Sequence, residues 1–263
     1  LGRFQFNFRS HRKLLIADGR VAFTGGFNIA TEWAPVDDSA APWRDDAVRL
    51  EGPAVSELAW LFRRVWDETE LRARYPALAT LDDESRTLLH ETQQTSIASS
   101  ARVAVLPQTR AKHRRHAFAA YLDRVRRAKR SIWIANAYFL PNRLMTRALR
   151  DATRRGVDLR VIVPGISDVE IVRHGSRAVW GRLLHAGARI YEWQPSILHS
   201  KTAVVDGEWA TIGSFNLDYR SLRSNLELNV SVLDPVFAKT MEDSFLADLE
   251  QCIEVDRHAF MFR

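Results

Sequence analysis

Residues 11–28 read HRKLLIADGRVAFTGGFN, and residues 199–216 read HSKTAVVDGEWATIGSFN. The two stretches lie 188 positions apart and agree at eight of 18 positions: His, Lys, Asp, Gly, Ala, Gly, Phe and Asn. Both fit H-x-K-x4-D-x6-G-[GS]-x-N, so the chain carries two related units. In each, two short apolar runs with strand character flank an Asp-Gly pair: 13–16 and 21–24 around Asp18-Gly19, and 201–205 and 209–212 around Asp206-Gly207. Asp-Gly between such runs signals a hairpin turn. His and Lys two apart on a strand share one face. The Gly-[Gly/Ser]-x-Asn segment closes the second strand, where small residues let backbone N–H groups approach an anion.

Outward from the repeat, strands alternate with helical periodicity. Residues 53–68 place Val55, Leu58, Leu61, Phe62 and Val65 on one helical face. Strands are expected at 102–106, 131–135, 159–163 and 188–193, and helices at 116–129, 144–155, 169–185 and 235–252. The run 224–230 reads as strand-like. This alternation predicts an α/β fold with helices on both faces of the sheet. It gives two domains, each a mainly β-sheet core flanked by helices: 1–69 with the first motif, a polar linker at 70–101 with one short helix, and 102–263 with the second motif. Ninety-seven residues of the second unit precede its motif histidine, and ten precede the first. Two units of one fold would leave the first domain incomplete at its start, and no initiator Met opens the chain.

Composition narrows the function. Of 263 residues, 46% are hydrophobic and 27% charged, which excludes disorder and collagen-like repeats. A single cysteine, Cys252, excludes a disulfide scaffold and a cysteine-ligated zinc site. The longest uncharged stretch, 131–142, is too short to span a bilayer. The net charge of +6 favours anionic partners, phospholipid surface or nucleic acid. Residues 110–130 hold nine Lys or Arg against Asp123. That run reads as a solvated helix face, with an anionic membrane surface as the functional alternative.

Two His, two Lys and two Asn at repeated spacing suit phosphoryl transfer through a covalent intermediate. One imidazole attacks phosphorus and the other protonates the leaving oxygen. Lys13 and Lys201 supply positive charge, and Asn28 and Asn216 supply amide N–H groups, so no metal or other cofactor is required. A nucleophilic histidine needs a partner that holds its tautomer. Glu227 is one candidate. Aligning Pro53 with Pro235 places Asp45 opposite Glu227 and makes it the other. Asp18 and Asp206 precede turn glycines, where Asp serves its own backbone.

The twin motifs resemble the HKD motifs of the phospholipase D superfamily. Flanking segments resemble bacterial cardiolipin synthases: FTGGFNIA at 23–30, WRD at 43–45 with LEGP at 50–53, AYFLP at 137–141 and GSFNLDYRS at 213–221. The resemblance implies a catalytic set of His11, Lys13, Asp18, His199, Lys201 and Asp206. Gly26, Asn28, Asp45, Ser214, Asn216 and Glu227 would bind phosphate or support the set. It implies His11 as nucleophile and His199 as general acid. It further implies phosphatidyl transfer between two phosphatidylglycerol molecules with release of glycerol, at the bacterial cytoplasmic membrane, by a protein bound peripherally or anchored by segments outside this chain. The alternative is a phosphodiesterase of the same superfamily acting on phospholipid or nucleic acid. Two fused units weigh against nucleic acid, because the superfamily's simple nucleases carry one motif per chain. A non-catalytic anion-binding module is opposed by intact His, Lys and Asn in both copies.

Overall fold

Both copies of the repeat fold as antiparallel hairpins in the computed structural model, which describes residues 9–35, 41–67, 101–108, 116–167, 170–257 and 260. In the first unit, β1 (Leu14–Ala17) pairs with β2 (Val21–Gly25), Leu14 opposite Thr24. Asp18 and Gly19 take φ of 52° and 61° in the turn, the left-handed pair that Asp-Gly tolerates. β3 (Ala47–Glu51) adds to β2 and completes a three-stranded sheet, followed by α1 (Pro53–Asp67). α1 buries Val55, Leu58 and Leu61, but Phe62 is exposed and stacks on Trp66 instead. Leu15 and Phe23 lie exposed on the sheet's outer face.

The second unit is larger. It contains β4 (Arg102–Pro107), α2 (His116–Arg127), β5 (Ser131–Asn136), α3 (Arg143–Arg154), β6 (Asp158–Pro164), α4 (Glu170–Ala186) and β7 (Arg189–Trp193). The motif hairpin follows as β8 (Lys201–Val205) and β9 (Trp209–Gly213), with Asp206 and Gly207 again left-handed at φ of 57° and 64°. α5 (Tyr219–Arg223), β10 (Leu228–Leu233), α6 (Pro235–Leu249) and β11 (Cys252–Glu254) complete it. The eight strands lie in the order β11-β7-β6-β5-β8-β9-β10-β4, with β5, β6 and β7 parallel and the other pairs antiparallel.

Alternating strand residues fill two faces. Ile132, Ile134, Leu159, Val161 and Ile190 pack beneath α2, α3 and α4. Ala135, Ile162 and Tyr191 face Phe245 of α6. Further along that second face, Ile212, Leu228, Val230 and Val232 meet Ala22, Val48 and Leu50 of the small sheet and Leu58 of α1. This apolar seam joins the two units. Truncating one of its buried leucines to Ala costs about 2–5 kcal/mol.

Two expectations differ, and one is not reached by the described residues. The linker reading of 70–101 falls, except for residue 101, outside the described residues. Residues 219–223 form a short helix, capped by the Asp218 side chain accepting from the Ser221 N–H, so strand β10 starts only at Leu228. The C-terminal helix ends at Leu249, and Cys252–Glu254 forms an edge strand that fills the open hydrogen-bonding side of β7.

Candidate active site

Strand direction gathers the motif. His199 and Lys201 sit where β8 begins. β5 and β9 end on that side, and β10 begins there, because each is antiparallel to its neighbour in this group. The same holds in the first unit: His11 and Lys13 precede β1, and β2 ends beside them.

Two short parallel bridges then tie the units together, Ser10 to Leu226 and Arg44 to Leu198. The His11 N–H donates to the Leu226 carbonyl at 2.9 Å, and the Leu226 N–H to the Arg9 carbonyl at 2.8 Å. The His199 N–H donates to the Arg44 carbonyl at 2.7 Å, and the Arg44 N–H to the Ile197 carbonyl at 2.9 Å. Each bridge carries a histidine of one unit alongside the carboxylate segment of the other. The pairing is therefore crosswise: His11 Nδ1 bonds Glu227 Oε2 at 2.9 Å, and His199 Nδ1 bonds Asp45 Oδ2 at 2.7 Å. Both carboxylate side chains are wholly buried. An Nδ1–H held by a carboxylate leaves Nε2 with its lone pair for chemistry.

The carboxylates are held differently. Asp45 Oδ2 also accepts the Trp33 indole N–H at 3.0 Å, and Oδ1 accepts the Asp46 N–H at 2.8 Å. A Cβ on Gly26 would stand 2.2 Å from Asp45 Oδ1, so only glycine fits there. The second unit has Ser214 at that place, and its hydroxyl donates to Glu227 Oε2 at 2.6 Å. Ser221 Oγ and Asn225 Nδ2 donate to Glu227 Oε1 at 2.9 and 3.0 Å. Burial alone would raise the Glu227 carboxyl. The His11 bond and charge, with Ser214 and Asn225, more than offset it and hold it below the usual carboxylate range.

The two histidines also differ. The His11 side chain is 30% exposed and that of His199 is 7%. Trp33 meets the His199 ring edge-on at 5.2 Å, and Trp43 lies 5.6 Å away. Burial among these rings pushes His199 below the ordinary imidazole value, Asp45 opposing, and the charges of Lys201 and Lys13 add to the lowering. Lys13 donates to the His11 carbonyl at 2.9 Å, and Lys201 to that of His199. Burial lowers Lys13, against the charges of both Glu227 and Asp45. Lys13 thus feels both carboxylates and His199 feels Lys13, so the two motifs form one centre.

Asn216 is buried, and its Oδ1 accepts the Tyr138 N–H at 3.3 Å. Asn28 is half-buried in the loop after β2. Asp18 and Asp206 do not join the centre. Seven extended positions separate Asp206 from His199, about 20 Å at the strand rise. Its carboxylate accepts the N–H groups of Lys129, Arg130 and Ser131 at 3.0, 2.7 and 3.0 Å. These bonds, after burial, settle it below the usual range. Both aspartates sit in the hairpin turns, where Asp18 and Asp206 adopt positive φ.

Trp33, Ser221, Asn225 and Asn229 were not singled out from the sequence. Asn229 accepts the Phe215 N–H at 3.0 Å and shapes the loop after β9. The only sequence cue lay in alternation: Asn225, Glu227 and Asn229 share a face. Among the described residues, no group of three or more His, Cys, Asp and Glu is placed to hold a metal ion.

A duplicated H-x-K unit with one centre shared across the seam is the architecture that fold and site define. Residues 121–249 match the family described as "Cardiolipin synthase, PLD-like domain". A cardiolipin synthase of Halalkalibacterium halodurans is 35% identical over 263 residues, 98% of this chain and 49% of the relative. A cardiolipin synthase A of Pseudomonas entomophila is 34% identical over 96% of this chain and 50% of that one. The chain thus spans about half the length of the curated relatives it matches. The crystal structure of a phosphatidylserine synthase from Haemophilus influenzae superposes with a TM-score of 0.66, covering 94% of this chain and 63% of that one at 13% identity, a likeness of fold. Residues 121–249 thus resemble a PLD-like domain, and the chain is similar along nearly its whole length to bacterial cardiolipin synthases.

Proposed function

We propose that this chain carries the catalytic centre of a phosphatidyl transferase that joins two phosphatidylglycerol molecules into cardiolipin and releases glycerol. The crosswise pairing of each Nδ1 with the opposite unit's buried carboxylate carries the reading. Both Nε2 atoms are then poised, one for each side of a phosphorus. His11 Nε2 attacks phosphorus as the bond to the glycerol oxygen breaks, and His199 gives its proton to that oxygen. A lowered pKa makes the His199 imidazolium a strong acid, suited to this task. Glycerol leaves, and the phosphatidyl group stays on His11. His199 next takes the proton of a hydroxyl of a second phosphatidylglycerol, whose oxygen attacks phosphorus and frees His11. Lys13, Lys201, Asn28 and Asn216 offset the negative charge on the phosphoryl oxygens. Asp45 and Glu227 hold the tautomers. The reaction takes place at a membrane surface. Among the described residues, no helix is long and apolar enough to cross a membrane.

Lipid mass spectrometry after incubation with phosphatidylglycerol tests this, with plasmid DNA in parallel. Cardiolipin and glycerol in equal amounts are expected. Phosphatidic acid alone makes it a hydrolase, and nicked DNA without lipid turnover makes it a nuclease. A p-nitrophenyl phosphodiester separates the histidines, because nitrophenolate leaves without protonation. His199→Ala should show a burst of nitrophenolate and trap phosphohistidine, whereas His11→Ala should show neither. A burst from His11→Ala reverses the roles.

A further inference from the structure

We propose that the rim of the catalytic cleft, carried by Ile29, Phe27, Leu144 and Tyr219 with Arg143 and Arg223, docks on an anionic phospholipid bilayer. The proposal rests on the lipid reading above and names the surface that delivers the lipid. Strand polarity puts these residues together. Phe27 and Ile29 follow β2, Arg143 and Leu144 follow β5, and Tyr219 and Arg223 follow β9. All three strands end on the side where His11 and His199 lie.

All four apolar side chains stand in solvent, on loops or helix starts that leave the same side of the sheets. Ile29 is fully exposed at 105%, Tyr219 at 59%, Phe27 at 46% and Leu144 at 45%. The Phe27 ring lies 6.2 Å from Trp33, whose ring lies 5.2 Å from His199. An apolar ridge therefore runs from the imidazole to a free tip. Separate tips on different loops suit insertion between headgroups better than burial against a flat protein face. Charge selects the lipid. Arg143 adjoins Leu144, and the Arg223 guanidinium sits over the Tyr219 ring at 4.9 Å, so apolar tips alternate with cations that meet anionic headgroups.

A second cationic surface among the described residues lies away from the centre. Arg124, Arg127, Lys129 and Arg130 surround Asp206 and Trp209 at the opposite end of the β8–β9 hairpin. The five residues of β8 alone separate the two ends by about 16 Å. A bilayer bound there cannot present a headgroup phosphate to His199.

Co-sedimentation with vesicles of equal phosphatidylglycerol and phosphatidylcholine tests the surface. Ile29→Asp with Leu144→Asp should weaken binding at least tenfold and lower turnover on vesicles in parallel. Turnover of dispersed dihexanoyl phosphatidylglycerol should stay within about twofold. Arg124→Glu with Arg127→Glu should leave vesicle binding within threefold. Unchanged binding by the first pair, or loss by the second, overturns the proposal. No turnover of the dispersed lipid by the native protein sinks the enzymatic reading while vesicle binding still reports on the surface. Should the aspartate variant not fold, Ile29→Cys in a Cys252→Ser background, labelled with an environment-sensitive dye, decides: a blue shift on these vesicles is expected, and its absence refutes docking.

Discussion

Asp45→Asn separates the two halves of the centre. Asp45 offers two oxygens to three fixed donors: His199 Nδ1–H and the Trp33 indole on Oδ2, and the Asp46 N–H on Oδ1. Asparagine has one oxygen. With it toward His199 and Trp33, the amide NH2 faces the Asp46 N–H. With it toward Asp46, the NH2 faces two donors. Neither orientation is free of a donor–donor contact, and neither supplies the charge that opposes the lowering of His199. A buried unsatisfied donor costs roughly 1–3 kcal/mol. Loss of tautomer control at a comparable imidazole–carboxylate pair costs roughly 10⁴ in kcat, so a fall of about 10³–10⁴ is expected. Glu227→Gln should behave otherwise. Its oxygen can keep His11 and Ser214, while its NH2 donates to Ser221, whose hydroxyl rotates, and to Asn225, whose amide flips. Only charge is lost, and a fall of about 10–10² follows, by analogy with single hydrogen-bond deletions. The assay is kcat on phosphatidylglycerol vesicles, with thermal melts to show that both variants fold. Equal falls in the two variants, or less than a tenfold fall for Asp45→Asn, would refute the reasoning.

The pH profile follows from His199. A general acid must be protonated in the free enzyme, and burial sets His199 below 6.5, so kcat/KM should decline with rising pH along a limb centred below 6.5; a flat profile to pH 8 removes His199 from that role. Gly26→Ala puts a Cβ 2.2 Å from Asp45 Oδ1, so Asp45 should be displaced from His199, with activity down at least a hundredfold and stability down by roughly 1–3 kcal/mol. Restored kinetics in that variant would show that Asp45 has room to move. Asp206→Ala should lower the melting temperature, at a cost of about 1–3 kcal/mol after solvent screening, and leave kcat within tenfold, whereas Asp206→Asn, which tolerates positive φ, should recover most of the loss. A kcat near zero in a folded Asp206→Ala would return that residue to the chemistry.

The sequence by itself determined the hairpins, the turns and the chemical inventory, because these are local. Strand periodicity and Asp-Gly turns are written into ten consecutive residues, and β8 runs over the residues that the pattern marks. β3 was not read from the sequence, although its side chains alternate between exposed and buried in the folded protein. Nor was α5: five residues carry no helical period, and an Asp218 cap defines it. Alignment of the repeats made Asp45 the counterpart of Glu227, but could not say which histidine each would serve. That was decided by the apolar seam of Leu50 and Leu58 against Leu228 and Val230, which brings residue 10 beside 226 and residue 44 beside 198. The same packing buries His199 among Trp33 and Trp43 and leaves His11 part-exposed. That burial lowers the pKa of His199, because a pKa is set by what surrounds the ring and not by its neighbours along the chain.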